Sequence, residues 1–379
     1  MTQAKGFISA DDHVLEMPDT WTSRLSKAQW GDRIPHLAEG PGGAQHWMVD
    51  GRRLALPGVA ASGATQPDRT QEPQRWEAVS KSAYVPRERL VAMDADGVSR
   101  SVLYPTVAGF AGETFGRIED PALELACVQA YNDWIIEEWA GASDRFIPLC
   151  LVPLQTMDVA VKEVRRAVAK GHKGVILPAF PQHLRKLPHI NDPAYDQLWA
   201  TCQELGVPVS LHSGASTEMQ YPADPTNSRV LAEATEAITR PLSSIGVVSN
   251  FLISGILTRF PRLKVVFAES TLGWGAFVIE TADYHYGTFR LHLQGYDLKP
   301  SELFKRQCYL TSWYDGTSLE HTVRNFGANN VLWSTNFPQT TSTWPNSQQV
   351  IASCFANLAA DKRRQILWQN AATLYGVNA

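Results

Sequence analysis

The sequence predicts an α/β chain folded as a (β/α)8 barrel. Eight short β-rich apolar runs alternate with stretches whose apolar residues recur every three or four positions, the pattern of parallel strands joined by helices. Such a barrel takes ~250 residues, and the chain has 379, enough for eight units and one insertion. The first run is not followed by a Gly-rich phosphate loop, which weighs against the alternative, a doubly wound open sheet.

The expected strands, in order, are GFISA (6–10), RSVLYP (100–105), RFIPLCLVP (145–153), GVILP (174–178), VPVSLH (207–212), LKVVFAE (263–269), RQCYLTS (306–312) and NVLWST (330–335). Helices are expected between them. PALELACVQAYNDWIIEEWAG has helical apolar spacing, with Trp134 and Trp139 on a face suited to the core or to an oligomer contact. VAVKEVRRAVAKG and YDQLWATCQELG end at Gly171 and Gly206, suitable C-caps. SNFLISGILTRFP should run as a helix to Pro261. The surplus residues, 17–90, form a Pro- and Gly-rich insertion between the first two strands. Within it, QHWMVDGRRLAL reads as two strands around an Asp50-Gly51 turn. The expected organisation is a single barrel domain over 1–379, with the insertion as a small cap or interface flap.

Composition narrows the function classes. Hydrophobic residues are 44% and charged residues 19%, an ordinary globular balance rather than a disordered one. The net charge of −4 lacks the clustered cations of a nucleic-acid footprint. Five cysteines, widely spaced and without a CxxC, argue against a disulfide framework or a thiolate zinc site and fit a reduced cytoplasm. No run reaches the roughly 18 apolar residues of a membrane span, and MTQAKGFISADDH lacks the apolar core of a signal peptide.

Catalytic groups of such barrels sit at the C-terminal strand ends. There the chain carries Asp11, Asp12, His13 and Glu16 after strand one, His212 after strand five, Glu269 after strand six, and Asn336 and Gln339 after strand eight. Asp11 and His13 are two apart and share one side of an extended segment, while Asp12 faces the other. A carboxylate and two imidazoles suit a divalent ion, with zinc expected first and iron or manganese as alternatives. Glu269 is a candidate general base or a further ligand. Each residue alone also has a bland reading, as a turn, a cap or a satisfied polar group. Trp274 and Trp344 follow strand ends and line the pocket or pack the rim.

These segments resemble a known family. ISADDHVLEMPDTWTSRL, RLVAMDADGVSRSVLYPT, FLISGILTRFPRLKVVFAESTLGWGAFVIE, STWPNS and NAATLYG are similar to the amidohydrolase-2 group of metal-dependent amidohydrolases, a TIM-barrel family that includes aminocarboxymuconate-semialdehyde and γ-resorcylate decarboxylases. The resemblance implies a small carboxylate-bearing substrate and hydrolysis, decarboxylation or hydroxylation. It also implies metal ligands at Asp11, His13 and His212, and a catalytic Glu269 where the decarboxylases carry His. After strand eight the family has Asp and His in a DYPH motif, where this chain has NFPQ. Asn336 and Gln339 keep size and hydrogen bonding while removing charge and basicity. The resemblance further implies an oligomer. It extends to α-aminoisobutyrate hydroxylase-like pairs of unequal subunits, which would make this chain the site-altered partner of an active paralogue.

Overall fold

The computed structural model describes residues 6–64, 69, 72–216 and 228–377. Its strands are β1 Phe7–His13, β2 His36–Glu39, β3 Gln45–Val49, β4 Arg52–Arg53, β5 Val98–Tyr104, β6 Phe146–Leu151, β7 Gly174–Ile176, β8 Val209–His212, β9 Val265–Ala268, β10 Cys308–Ser312 and β11 Val331–Trp333. Eight of them form one parallel sheet in the order β1-β5-β6-β7-β8-β9-β10-β11, with helices between successive strands. All eight expected barrel strands are present, and the fold is a (β/α)8 barrel.

The expected helices form, with two local differences. Pro121–Trp134 starts from the Asp120 side chain, which accepts from the Ala122 and Leu123 amides, and it continues as a π turn over Ile135–Ala140. Trp134 and Trp139 are buried inside the chain's own core. The stretch expected as one helix up to Pro261 is two, Ser243–Ile253 and Ile256–Arg259. Gly255 separates them at φ 81°, a left-handed conformation that costs glycine little.

The insertion holds the antiparallel sheet β2-β3-β4. Asp50 and Gly51, both at positive φ, turn β3 into β4. Trp47 of β3 meets Trp21 and Trp76 edge to face, each pair 6.2 Å apart between centroids. Further on, the insertion reaches the loop after β11. A Cβ at Gly63 would overlap the Gln339 carbonyl, so that contact demands glycine. Ser62 bonds Thr340, and Arg69 donates to the carbonyls of Ser342 and Trp344. Residues 65–68, 70 and 71 of this segment lie outside the described residues.

The seam between β1 and β11 positions the site. β1 runs to His13, three residues beyond the expected strand end, and its register against β5 shifts between Ser9 and Asp12, so one extra residue bulges there. Past β11 the chain completes the seam: the Asn336 amide donates to the Asp11 carbonyl at 3.0 Å and the His13 amide to the Phe337 carbonyl at 2.6 Å. Asp12 pins this join. Its Oδ1 accepts from Ser9 Oγ (2.8 Å), Thr335 Oγ1 (2.5 Å) and the Phe337 amide (3.1 Å), and its Oδ2 from Ser101 Oγ (2.5 Å). Burial outweighs these bonds and pushes the Asp12 carboxyl up to about 6. Asp12→Ala leaves several buried donors without an acceptor and is expected to lower stability by about 3 kcal/mol, read from the urea unfolding midpoint. A loss below about 1 kcal/mol would show that the seam holds without it.

Candidate metal centre

Asp11, His13 and His212 converge where β1 and β8 end. Their ligating atoms lie within 4.8 Å of one another, and all three residues are buried. His13 Nε2 is 3.5 Å and His212 Nε2 3.6 Å from Asp11 Oδ1, and the two nitrogens are 3.2 Å apart. Ligand atoms about 2.0–2.1 Å from a tetrahedral zinc stand about 3.3 Å from one another. The triangle already has that size.

The surroundings orient each ligand. His13 Nδ1 meets the Pro105 carbonyl at 3.0 Å and His212 Nδ1 the Ser213 carbonyl at 2.8 Å. A carbonyl can only accept, so in the neutral rings Nδ1 carries the hydrogen and Nε2 presents its lone pair to the centre. Asp11 Oδ2 accepts from the Glu269 amide at 2.9 Å, while its Oδ1 is buried and has no hydrogen-bond partner among the described residues. An anionic oxygen sealed from water without a donor is costly. Two aimed imidazoles and one orphaned carboxylate oxygen therefore fit a divalent cation.

Protonation follows from the same geometry. Burial pulls the His13 imidazole down to about 4, against the pull of Asp11, so it is neutral. For His212 burial works the same way, but the nearby charges of Asp11 and Glu269 and the hydrogen bond to the Ser213 carbonyl together overcome it and raise the ring to about 9. Without a metal, the Asp11 charge is answered by a proton on His212.

Glu269 stands beside this set rather than in it. Its Oε2 is 3.8 Å from His212 Nδ1, on the ring edge away from the centre. Ser213 Oγ donates to Oε2 at 3.1 Å, and Arg240 Nη1 lies 3.8 Å from Oε1. Asn336 Nδ2 donates to Glu269 Oε1 at 3.1 Å and to Thr341 Oγ1 at 2.9 Å. An aspartate at 336 would instead set carboxylate against carboxylate. Asn336 and Glu269 are thus matched as donor and acceptor. Glu269 (φ 50°) and Asn336 (φ 57°) both hold left-handed backbone, which glutamate adopts at a cost of about 1 kcal/mol or more. Asn336 Oδ1 is a second buried oxygen with no partner among the described residues.

The other expected residues turn elsewhere. Glu16 accepts from three backbone amides of the loop after β5. Gln339 is buried, its amide nitrogen without a partner among the described residues. Trp274 Nε1 donates to the Ser270 carbonyl, and Trp344 Nε1 to the Ala92 carbonyl while its ring packs on Phe337. Three residues not anticipated border the centre. Phe110 packs 4.7 Å from the His13 ring and 5.2 Å from the His212 ring; Tyr104 lies 5.8 and 5.5 Å from the same rings; Arg240 faces Glu269. The AGFAG stretch around Phe110 was a readable loop signal next to a strand end, whereas nothing local marked Arg240.

With this geometry in place, the family can be decided. Residues 81–377 match the family Amidohydro_2, described as Amidohydrolase. The chain belongs to the Amidohydro_2 family. It is 25% identical over 307 residues to a γ-resorcylate decarboxylase of Polaromonas sp., covering 76% of this chain and 87% of that protein. It is 23% identical over 270 residues to a 2-amino-3-carboxymuconate-6-semialdehyde decarboxylase of Dictyostelium discoideum, covering 69% and 68%. Among solved structures, an amidohydrolase from Mycobacterium avium subsp. paratuberculosis superposes with a TM-score of 0.78 at 20% identity over both full chains. A dihydroxybenzoic acid decarboxylase from Polaromonas sp., which holds manganese and the inhibitor 2-nitroresorcinol, does so at 0.67 and 19% identity, covering 99% of this chain and 98% of that one. The amidohydrolase barrel is thus homologous to decarboxylases of small carboxylates. Among the described residues no helix is long and apolar enough to cross a membrane.

Two outcomes follow for the centre. His13→Ala or His212→Ala should strip zinc from the purified protein, and unchanged occupancy in elemental analysis would contradict the ligand set. Because a cation must displace the His212 proton, zinc affinity measured by chelator competition should rise about tenfold per pH unit up to about 9, with one proton released per ion.

Proposed function

We propose that this amidohydrolase is a metal-dependent enzyme acting on a small carboxylate-bearing molecule, with decarboxylation favoured over hydrolysis or hydroxylation. The observation that carries the reading is the buried, unpartnered Asp11 Oδ1 facing two imidazole nitrogens at 3.5 and 3.6 Å. The two curated relatives named above are decarboxylases and support the choice of reaction. Asp11, His13 and His212 would hold the ion. Zinc suits two imidazoles and a carboxylate; iron and manganese are the alternatives. When bound, the ion supplies Lewis acidity toward a carboxylate or carbonyl oxygen.

The remaining chemistry falls to the chain. Glu269 is the proton-transferring group at its Oε atoms, oriented by Ser213 and Asn336 and facing Arg240. Asn336 cannot serve as a base, so that role has moved from the loop after β11 to the loop after β9. Trp274, Trp344 and Glu16 support the pocket's walls rather than touch substrate. Residues 17–90 are the cap of a single barrel domain, resting on the loop after β11 through Gly63, Ser62 and Arg69. Metal occupancy and activity are expected from the chain in a reducing cytoplasm, without nucleic acid or membrane.

A second reading makes this chain the diverged subunit that supports an active paralogue. Two observations favour it: the neutral Asn336 and Gln339, and an uncovered apolar face on the helix Gly275–Thr288 and the turn after it, where Phe277, Tyr284, Phe289 and Leu293 are each more than 60% exposed. Either a second copy or a paralogue would cover such a face.

Glu269→Gln should abolish release of carbon dioxide from a panel of hydroxybenzoates and amino-carboxylates while metal content is kept; loss of both would make Glu269 a ligand. Asn336→Asp is expected to tighten zinc binding at least tenfold by adding a carboxylate and to reduce turnover by opposing Glu269. Unchanged affinity would mean that Asn336 Oδ1 does not face the ion. Light scattering on the chain expressed alone separates the two readings. A soluble, active homo-oligomer favours the first, whereas a metal-free chain that gains metal and activity only with a paralogue favours the second.

A further inference from the structure

Three residues after His13, Glu16 is fully buried, and none of its bonds goes to the metal centre. Its Oε1 accepts from the amides of Thr106 (3.2 Å) and Ala108 (3.3 Å), and its Oε2 from that of Val107 (2.8 Å). These amides belong to one loop, the connection that leaves β5. Both ends of that connection touch the centre. Pro105, immediately before the three amides, supplies the carbonyl that takes the His13 Nδ1 hydrogen. Phe110, just after them, lies across both ligand rings. A second carboxyl group, that of the half-buried Glu113, accepts from the Phe110 amide at 3.2 Å and the Ala111 amide at 2.9 Å.

Five successive or near-successive amides are thus gathered by two carboxylates where a regular fold would use a helix or a ladder. A loop has no internal ladder to fix its carbonyls, and the direction of the Pro105 carbonyl decides which His13 nitrogen carries hydrogen. Carboxyl oxygens aimed at consecutive backbone donors accept several of them at once and so fix the course of such a loop.

We propose that Glu16, with Glu113, is a positioning residue of the metal centre: it fixes the loop after β5 so that Pro105 sets the His13 tautomer and Phe110 roofs both histidines. The His13-Val14-Leu15-Glu16 segment then works as one unit, in which the first residue ligates and the last holds the first residue's outer partner. This inference rests on the metal reading above, but its primary observable does not require metal.

The test uses the full-length protein labelled with 15N-histidine, with His13→Gln to assign the ring. In the metal-free wild type, His13 should show the Nδ1–H form. Glu16→Gln keeps the shape but turns an amide donor toward the Val107 N–H, so the loop must shift. The expected result is a mixed His13 tautomer and a zinc affinity lowered 10- to 100-fold. Glu163→Gln serves as the control. Glu163 is as buried but bonds Gln129, Asn132 and Arg166 away from the centre, so this change should lower stability while leaving the His13 signal and zinc affinity alone. An unchanged tautomer and a zinc affinity within twofold of wild type in Glu16→Gln would overturn the proposal, as would an effect no different from that of Glu163→Gln. If Glu16→Gln fails to fold, Glu113→Gln is read by the same two measurements and decides the matter. If wild type binds no zinc, the metal reading fails, and the tautomer comparison alone still confirms or overturns the role of Glu16.

Discussion

One carboxylate organises this molecule. Asp11 gives its carbonyl to the Asn336 amide, its Oδ2 to the Glu269 amide, and its Oδ1 to the two histidine nitrogens. A single residue of β1 therefore ties the loop after β11, the loop after β9 and the end of β8 to one point. The bulge before Asp12 frees Asp11 and His13 to face inward while Asp12 pins the seam. Burial supplies the energetic sense: an anionic oxygen without a donor is tolerable only if a cation or a proton answers it. In the metal-free state His212 carries that proton. Binding a dication would exchange that proton for metal.

The departure at the end of β11 looks different once its partners are known. Read as a motif, Asn336 and Gln339 subtract an anion and a base. In the fold, the Asn336 amide group is the donor that Glu269 needs, and Glu269 brings a carboxylate to the loop after β9. On the function proposed above, the anion would sit across the rim at Glu269 rather than be lost. Arg240 and Asn336 both address the same Glu269 oxygen, one by charge and one by hydrogen bond. Such matched partners are what the proposed enzyme reading would require of a rebuilt site.

Much of this was legible from residue order. The eight strands declared themselves because a parallel strand buried on both faces must be an apolar run, and each run is bounded by turn residues. Asp11, His13 and His212 were legible because barrel chemistry gathers at strand C-termini. What was not legible depends on backbone that periodicity does not specify. The break at Gly255 and the bulge in β1 each alter one residue's conformation within an otherwise regular pattern. Glu16 sat near the centre in sequence, but the direction of its carboxylate depends on a loop 90 residues away. Phe110 and Arg240 meet the centre only through loop and helix placement, which no local pattern records.

The most direct measurement is the metal stoichiometry of the chain purified alone from cells, by elemental analysis. The account predicts close to one divalent ion per chain, zinc foremost, removed by a chelator and restored by adding zinc. A chain that carries no metal and takes up none when zinc is supplied would contradict it: the orphaned oxygen of Asp11 would then be answered by the His212 proton alone.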